Sequence, residues 1–72
     1  MTSMLFALEG SPYIELIRLL KAVGLAANGA QAQMMVARGD VYRNGAPEFR
    51  KRAKIVSGDT IVCAGTTIQV QG

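Results

Sequence analysis

Seventy-two residues leave room for one domain, and eight Lys and Arg against five Asp and Glu give a net charge of +3. Half the chain is hydrophobic and 18% is charged, with two Phe, two Tyr and no Trp, a balance that favours a small aliphatic core over disorder. The absence of His, together with the single cysteine, Cys63, excludes Ser-His-Asp and Cys-His nucleophiles, His-containing zinc sites and an internal disulfide.

Met4-Leu5-Phe6-Ala7-Leu8 is an apolar run compatible with a strand and too short for the apolar region of a secretory signal. No stretch approaches the roughly 18 apolar residues of a membrane span, so a cytoplasmic protein without a membrane partner is expected. Ser11-Pro12 pairs a capping hydroxyl with a proline suited to a first helical position and predicts a helix start there. Tyr13, Leu16, Ile17, Leu20 and Val23 then recur at spacings of three and four, with Arg18 and Lys21 on the opposite face and Gly24 as the stop. Asn28 is a good N-cap for a second helix that runs to about Arg38 and ends at Gly39. Ala30, Met34 and Ala37, with Ala27 or Met35 alongside, are expected to pack on the first helix.

After Gly39 the period shortens. Val41-Tyr42-Arg43, Asn44-Gly45 and Ala46-Pro47-Glu48 read as a hairpin with a type I′ turn, and Pro47 places the returning strand at a sheet edge. Arg50-Lys51-Arg52 forms a basic loop. Lys54-Ile55-Val56, Thr60 to Ala64 and Thr67 to Val70 read as strands divided by Ser57-Gly58-Asp59 and Gly65. The expected architecture is a single α+β domain over residues 1–72: two packed short helices followed by a small antiparallel sheet of four to five short strands.

The charge is uneven. Arg18 and Lys21 balance Glu9 and Glu15 in the first half, whereas residues 38–54 carry Arg38, Arg43, Arg50, Lys51, Arg52 and Lys54 against Asp40 and Glu48. A concentrated positive field attracts polyanions, because each neutralised phosphate releases condensed counterions. The competing reading is a solvated face that keeps the protein dispersed and shields a sheet edge.

Gly24-Leu25-Ala26-Ala27-Asn28-Gly29-Ala30-Gln31-Ala32, then Gly39-Asp40-Val41-Tyr42-Arg43-Asn44-Gly45, then Gly58-Asp59-Thr60-Ile61-Val62 resemble, in that order, the RNA-binding domain named after small-ribosomal-subunit protein S4, the αL motif. The likeness spans about Tyr13 to Val70. Glu15 to Lys21, Gly29 to Ala32 and Arg50 to Ile55 are similar in particular to its small free-standing bacterial members, the YbcJ type. The resemblance implies binding to structured RNA, with ribosomal RNA among the candidates. Where this chain has Asn28-Gly29, many members open the second helix with Ser-Arg, so a usual RNA-contacting arginine is missing and weight shifts to Arg50, Lys51 and Arg52.

Three consecutive cations between short strands cannot all turn inward without a desolvation cost, so Arg50, Lys51 and Arg52 are expected at the surface, with Arg able to fork onto phosphate oxygens. Lys54 and Arg43 are expected to extend that strip. Asn28 and Gly29 open a helix whose free N–H groups attract anions, though Asn28 is equally explained as a plain cap. Arg18 and Lys21, then Gln31 and Arg38, complete the RNA-binding candidates. Tyr42 is a candidate for stacking on a base or for an ordinary rim residue. Cys63 is expected as a buried apolar residue, and Asp59 as a brace for its turn. The function expected is a monomeric, non-enzymatic RNA-binding module with no cofactor, metal or small-molecule substrate. The alternative is a protein–protein adaptor whose basic loop docks an acidic partner.

Overall fold

Period-two and period-3.6 segments separate into a sheet and a helical pair laid across one of its faces. The computed structural model describes residues 2–72. In chain order the elements are β1 (Thr2–Ala7), β2 (Ile14–Glu15), α1 (Leu16–Ala22), α2 (Gly29–Ala37), β3 (Val41–Arg43), β4 (Ala46–Pro47), β5 (Lys54–Ile55), β6 (Thr60–Cys63) and β7 (Thr66–Gln71). Five strands form one sheet in the order β1-β7-β6-β3-β4, and β2 pairs with β5 in a separate ribbon. The α+β class and the small sheet after two helices agree with expectation. The sheet is mixed, however, because β1 runs parallel to β7, from Thr2 opposite Thr66 to Ala7 opposite Gln71. Parallel neighbours need a long crossover, and here the helices and the hairpin all lie between the two strands.

Alternation decides which side of the sheet is dry. Val41, Ile61, Cys63, Ile68 and Val70 are buried with Met4 and Phe6 packed against them, whereas Leu5, Tyr42 and Gln69 are exposed. From the helical side, α1 contributes Leu16, Leu19 and Leu20, all wholly buried and spaced as one helical stripe. α2 contributes Ala32, Met35 and Val36, while Ala27, Ala30, Met34 and Ala37 are exposed, so the expected seam is turned to another face. Alanine and methionine occupy both faces of α2, and its apolar pattern does not choose between them. The β-branched Val36 and the small Ala32 settle the choice, since together they allow close approach to the core.

The first helix begins later than Ser11-Pro12 suggests. Ile14 and Glu15 are extended and pair with Ile55 and Lys54, so α1 starts at Leu16. Both helices end in the same way. Gly24 N–H and Leu25 N–H donate to the carbonyls of Lys21 and Leu20, and Gly39 N–H and Asp40 N–H donate to those of Val36 and Met35. These paired bonds form Schellman caps that need the positive φ of Gly24 (82°) and Gly39 (79°). The hairpin turn is type I′ as expected, with φ of 51° at Asn44 and 88° at Gly45, and Pro47 lies on the edge strand β4. Among the described residues no helix is long and apolar enough to cross a membrane.

Candidate nucleic-acid interface

The basic loop is fixed by the backbone it covers. Glu15, at the N-cap of α1, makes no side-chain capping bond. The carbonyls of Ala53 and Lys51 take that part, accepting from Leu16 N–H at 3.0 Å and Ile17 N–H at 3.2 Å. Residues 51–53 are therefore drawn across the first turn of α1, with Ala53 buried and the side chains of Arg50, Lys51 and Arg52 left exposed. The next residue, Lys54, stands opposite Glu15 in the β2–β5 pair, and its Nζ lies 5.1 Å from the ring centroid of Tyr13.

This docking brings distant cations together. Arg18 and Arg52 line one cleft, and Arg50, Arg52 and Lys54 line a neighbouring hollow, so Arg52 joins the two. Lys21 follows Arg18 at the i+3 spacing that keeps side chains on one helical face. Arg18, Arg50, Arg52 and Lys54 line these two hollows, and with Lys21 one turn along α1 and the exposed Lys51 in the loop they make a strip of expected residues along α1 and the loop. Among the described residues no carboxylate lies within ion-pair distance of Arg18, Lys21, Lys51 or Lys54.

The arginines of the loop are held more closely. Arg50 Nε lies 3.1 Å from Glu48 Oε2, and Arg52 Nε 3.2 Å from Glu15 Oε2. Both arginines stay largely in solvent, so these pairs orient the guanidinium groups at small energetic cost to a competing phosphate. The Arg50 hydrogen bond, opposed by burial and helped by Arg50 charge and by Arg43, holds the Glu48 carboxyl below its ordinary value.

Arg43 departs from expectation. It sits beside Lys54, as the hairpin predicts, but its side chain is only 21% exposed and its guanidinium is occupied. Nη2 donates to Asp59 Oδ2 at 2.8 Å and to the Lys54 carbonyl at 2.9 Å, and Nη1 lies 3.4 Å from Glu48 Oε1. Asp59 also accepts from Val56 N–H and Asn44 Nδ2. Burial pushes the Asp59 carboxyl up, and these bonds outweigh it, leaving the group below its ordinary value. Arg43 and Asp59 cross-link the hairpin to the β5–β6 turn. They are structural, and the brace expected of Asp59 is observed.

The α2 candidates line neither of these two hollows. Asn28 Oδ1 accepts from Gln31 N–H at 2.9 Å, while Gln31 Oε1 accepts from Ala27 N–H at 2.6 Å, a reciprocal cap that engages both amide oxygens. Gly29 has open space where a side chain would stand. Arg38 pairs with Asp40 at 2.7 Å, and both border a separate hollow with Gln31 and Tyr42. Cys63 is buried, and burial raises its thiol pKa. Among the described residues no group of three or more Cys, Asp or Glu is placed to hold a metal ion. Sequence reasoning missed Tyr13 as a neighbour of Lys54, and Glu15 and Glu48 as partners of the loop arginines. No local signal places Glu15 on a strand, because its pairing is with Lys54, far along the chain.

Comparison with known proteins gives a consistent set of likenesses. The S4 domain family matches residues 6–71. The chain is 48% identical over 65 residues to YbcJ of Escherichia coli (strain K12), covering 90% of this chain and 93% of that protein. YbcJ of Shigella flexneri shows the same identity and coverage. The solution structure of Escherichia coli YbcJ, described as revealing an αL motif involved in RNA binding, superposes with a TM-score of 0.73 at 46% identity, covering 94% of this chain and 86% of that one.

Proposed function

This chain belongs to the S4 domain family, and from that membership we propose that it is a non-enzymatic module that binds structured RNA through the strip along α1 and the 50–54 loop. The observation that carries the reading is the docking of the loop on α1 through the Lys51 and Ala53 carbonyls, because it merges two sequence-distant sets of cations into one surface. A strip of separate charges on a rigid backbone suits the phosphates of a folded RNA, which carry shape rather than base sequence. Ribosomal RNA, with its many such folds, is the candidate class of target, and a single copy acting in the cytoplasm suffices for the interface described.

Lys51→Glu is the direct test. Lys51 is exposed and unpaired, so the variant should melt with the wild type while its affinity for a folded RNA falls at least ten-fold by filter binding or anisotropy. Unchanged affinity in a folded Lys51→Glu and in an Arg50→Glu, Lys51→Glu, Arg52→Glu triple variant would reject this surface.

A further inference from the structure

Beside the strip lies a cleft that phosphate contacts alone do not use. It has a volume of about 740 Å³ and lies between the loop that follows β1 and the start of α1, with Phe6, Tyr13, Glu15, Arg18 and Arg52 in its lining. That volume is within the range of about 300–1,000 Å³ found for small-molecule sites. We propose that this cleft receives one unpaired nucleobase of the bound RNA, stacked on Tyr13, while Arg18 and Arg52 hold the flanking phosphates. The proposal rests on the RNA-binding reading and adds a single-nucleotide subsite to it.

The two charged partners in the cleft differ in exposure. The Glu15 side chain is 25% exposed, whereas that of its partner Arg52 is 79% exposed. A carboxylate repels a phosphate and accepts hydrogen bonds from the amino edge of adenine, cytosine or guanine. A guanidinium does the reverse, forking onto phosphate oxygens. With Glu15 Oε2 and Arg52 Nε 3.2 Å apart, a nucleotide in the cleft meets an acceptor for its base and a donor for its phosphate side by side.

Tyr13 has the exposure and the support that stacking needs. Its residue is 39% exposed and lines the cleft, and the Lys54 ammonium lies over one face of the ring, 5.1 Å from its centroid, so a base stacks on the opposite face. The loop that carries it is pinned at its start by a tight turn, in which Ser11 N–H donates to the Leu8 carbonyl and both Glu9 and Gly10 take positive φ. Single-stranded bases in loops and bulges are available for such stacking, and paired ones are not.

The experiment uses two RNA hairpins of the same stem, one with a bulged 2-aminopurine and one with 2-aminopurine base-paired, titrated with the full chain. Anisotropy reports binding and the aminopurine fluorescence reports stacking. Binding of the bulged hairpin should quench the fluorophore, and binding of the paired hairpin should not. Tyr13→Ala should abolish the quench and weaken the bulged hairpin about ten-fold, leaving the paired hairpin nearly unchanged, while Tyr13→Phe retains the wild-type behaviour. Hairpins that bind with no difference in quench, or a Tyr13→Ala protein that quenches like the wild type, would overturn the subsite and leave RNA binding intact. Failure to bind either hairpin would remove the RNA reading and the subsite together.

Discussion

Arg43 shows how a cation in a basic segment is withdrawn from the surface. Its guanidinium has two carboxylates and a carbonyl within reach, and Asp59, 9% exposed in its side chain, has no other cation beside it among the described residues. Arg43→Ala would leave the buried Asp59 carboxylate with only Val56 N–H and Asn44 Nδ2 as donors and Glu48 with only Arg50, removing the cation beside Asp59, a loss of about 2–4 kcal/mol. For a domain of this size that is a fall in Tm on the order of 10–20 °C, readable by circular dichroism. A drop of only a few degrees would mean that the cross-link is weak. The same two carboxylates contribute to the acid sensitivity of the fold. Asp59 and Glu48 both titrate below their ordinary values of 3.8 and 4.5, so the unfolded chain binds protons first as pH falls. Their stabilisation is complete above about pH 5 and is lost as pH drops through the range below 4. Thermal melts from pH 6 to pH 2 should fall along that limb, and Asp59→Asn should start from a lower Tm and fall less steeply.

At the level of elements, the same residue type has opposite value at two helix ends. Gly24 takes a φ of 82° in the Schellman cap of α1, whereas Gly29 opens α2 with ordinary backbone angles and nothing within 4 Å of an added Cβ. Gly29→Ala should raise stability by up to about 0.5–1 kcal/mol through the loss of unfolded-state freedom, and Gly24→Ala should lower it by about 1 kcal/mol or more. Urea unfolding of both would show the contrast, and two variants of equal stability would contradict it. Such local chemistry is what the sequence displays well. The stops at Gly24 and Gly39, the Asn28 cap, the Asn44-Gly45 turn and the edge position of Pro47 were each legible because a few adjacent residues decide them. The parallel β1–β7 pair, the β2–β5 ribbon and the face that α2 buries were not, since each depends on partners far along the chain. The site divides in the same way: exposure of Arg50, Lys51 and Arg52 follows from their desolvation cost, while the capture of Arg43 by Asp59 depends on how the hairpin folds back.

For the whole molecule, the arrangement of free and paired cations predicts how binding responds to salt. Arg18, Lys21, Lys51 and Lys54 have no carboxylate within ion-pair distance among the described residues, while Arg50 and Arg52 share Glu48 and Glu15. If the four unpaired groups each neutralise a phosphate, the logarithm of the RNA association constant should fall with the logarithm of salt concentration at a slope of about −3 to −4. Lys51→Glu should reduce that slope by about one, because one phosphate contact is gone. Glu15→Gln should act in the other direction, because Glu15 no longer competes with the phosphate for Arg52, and should steepen the slope by a fraction of one. The acidic-partner alternative responds differently. A folded acidic protein carries no condensed counterion layer, so its complex would weaken by Debye screening alone, without a term that counts phosphates. A shallow dependence between 50 and 200 mM salt, unchanged in Lys51→Glu and Glu15→Gln, would therefore favour the adaptor over the RNA module, and the ordered series of three slopes would exclude it.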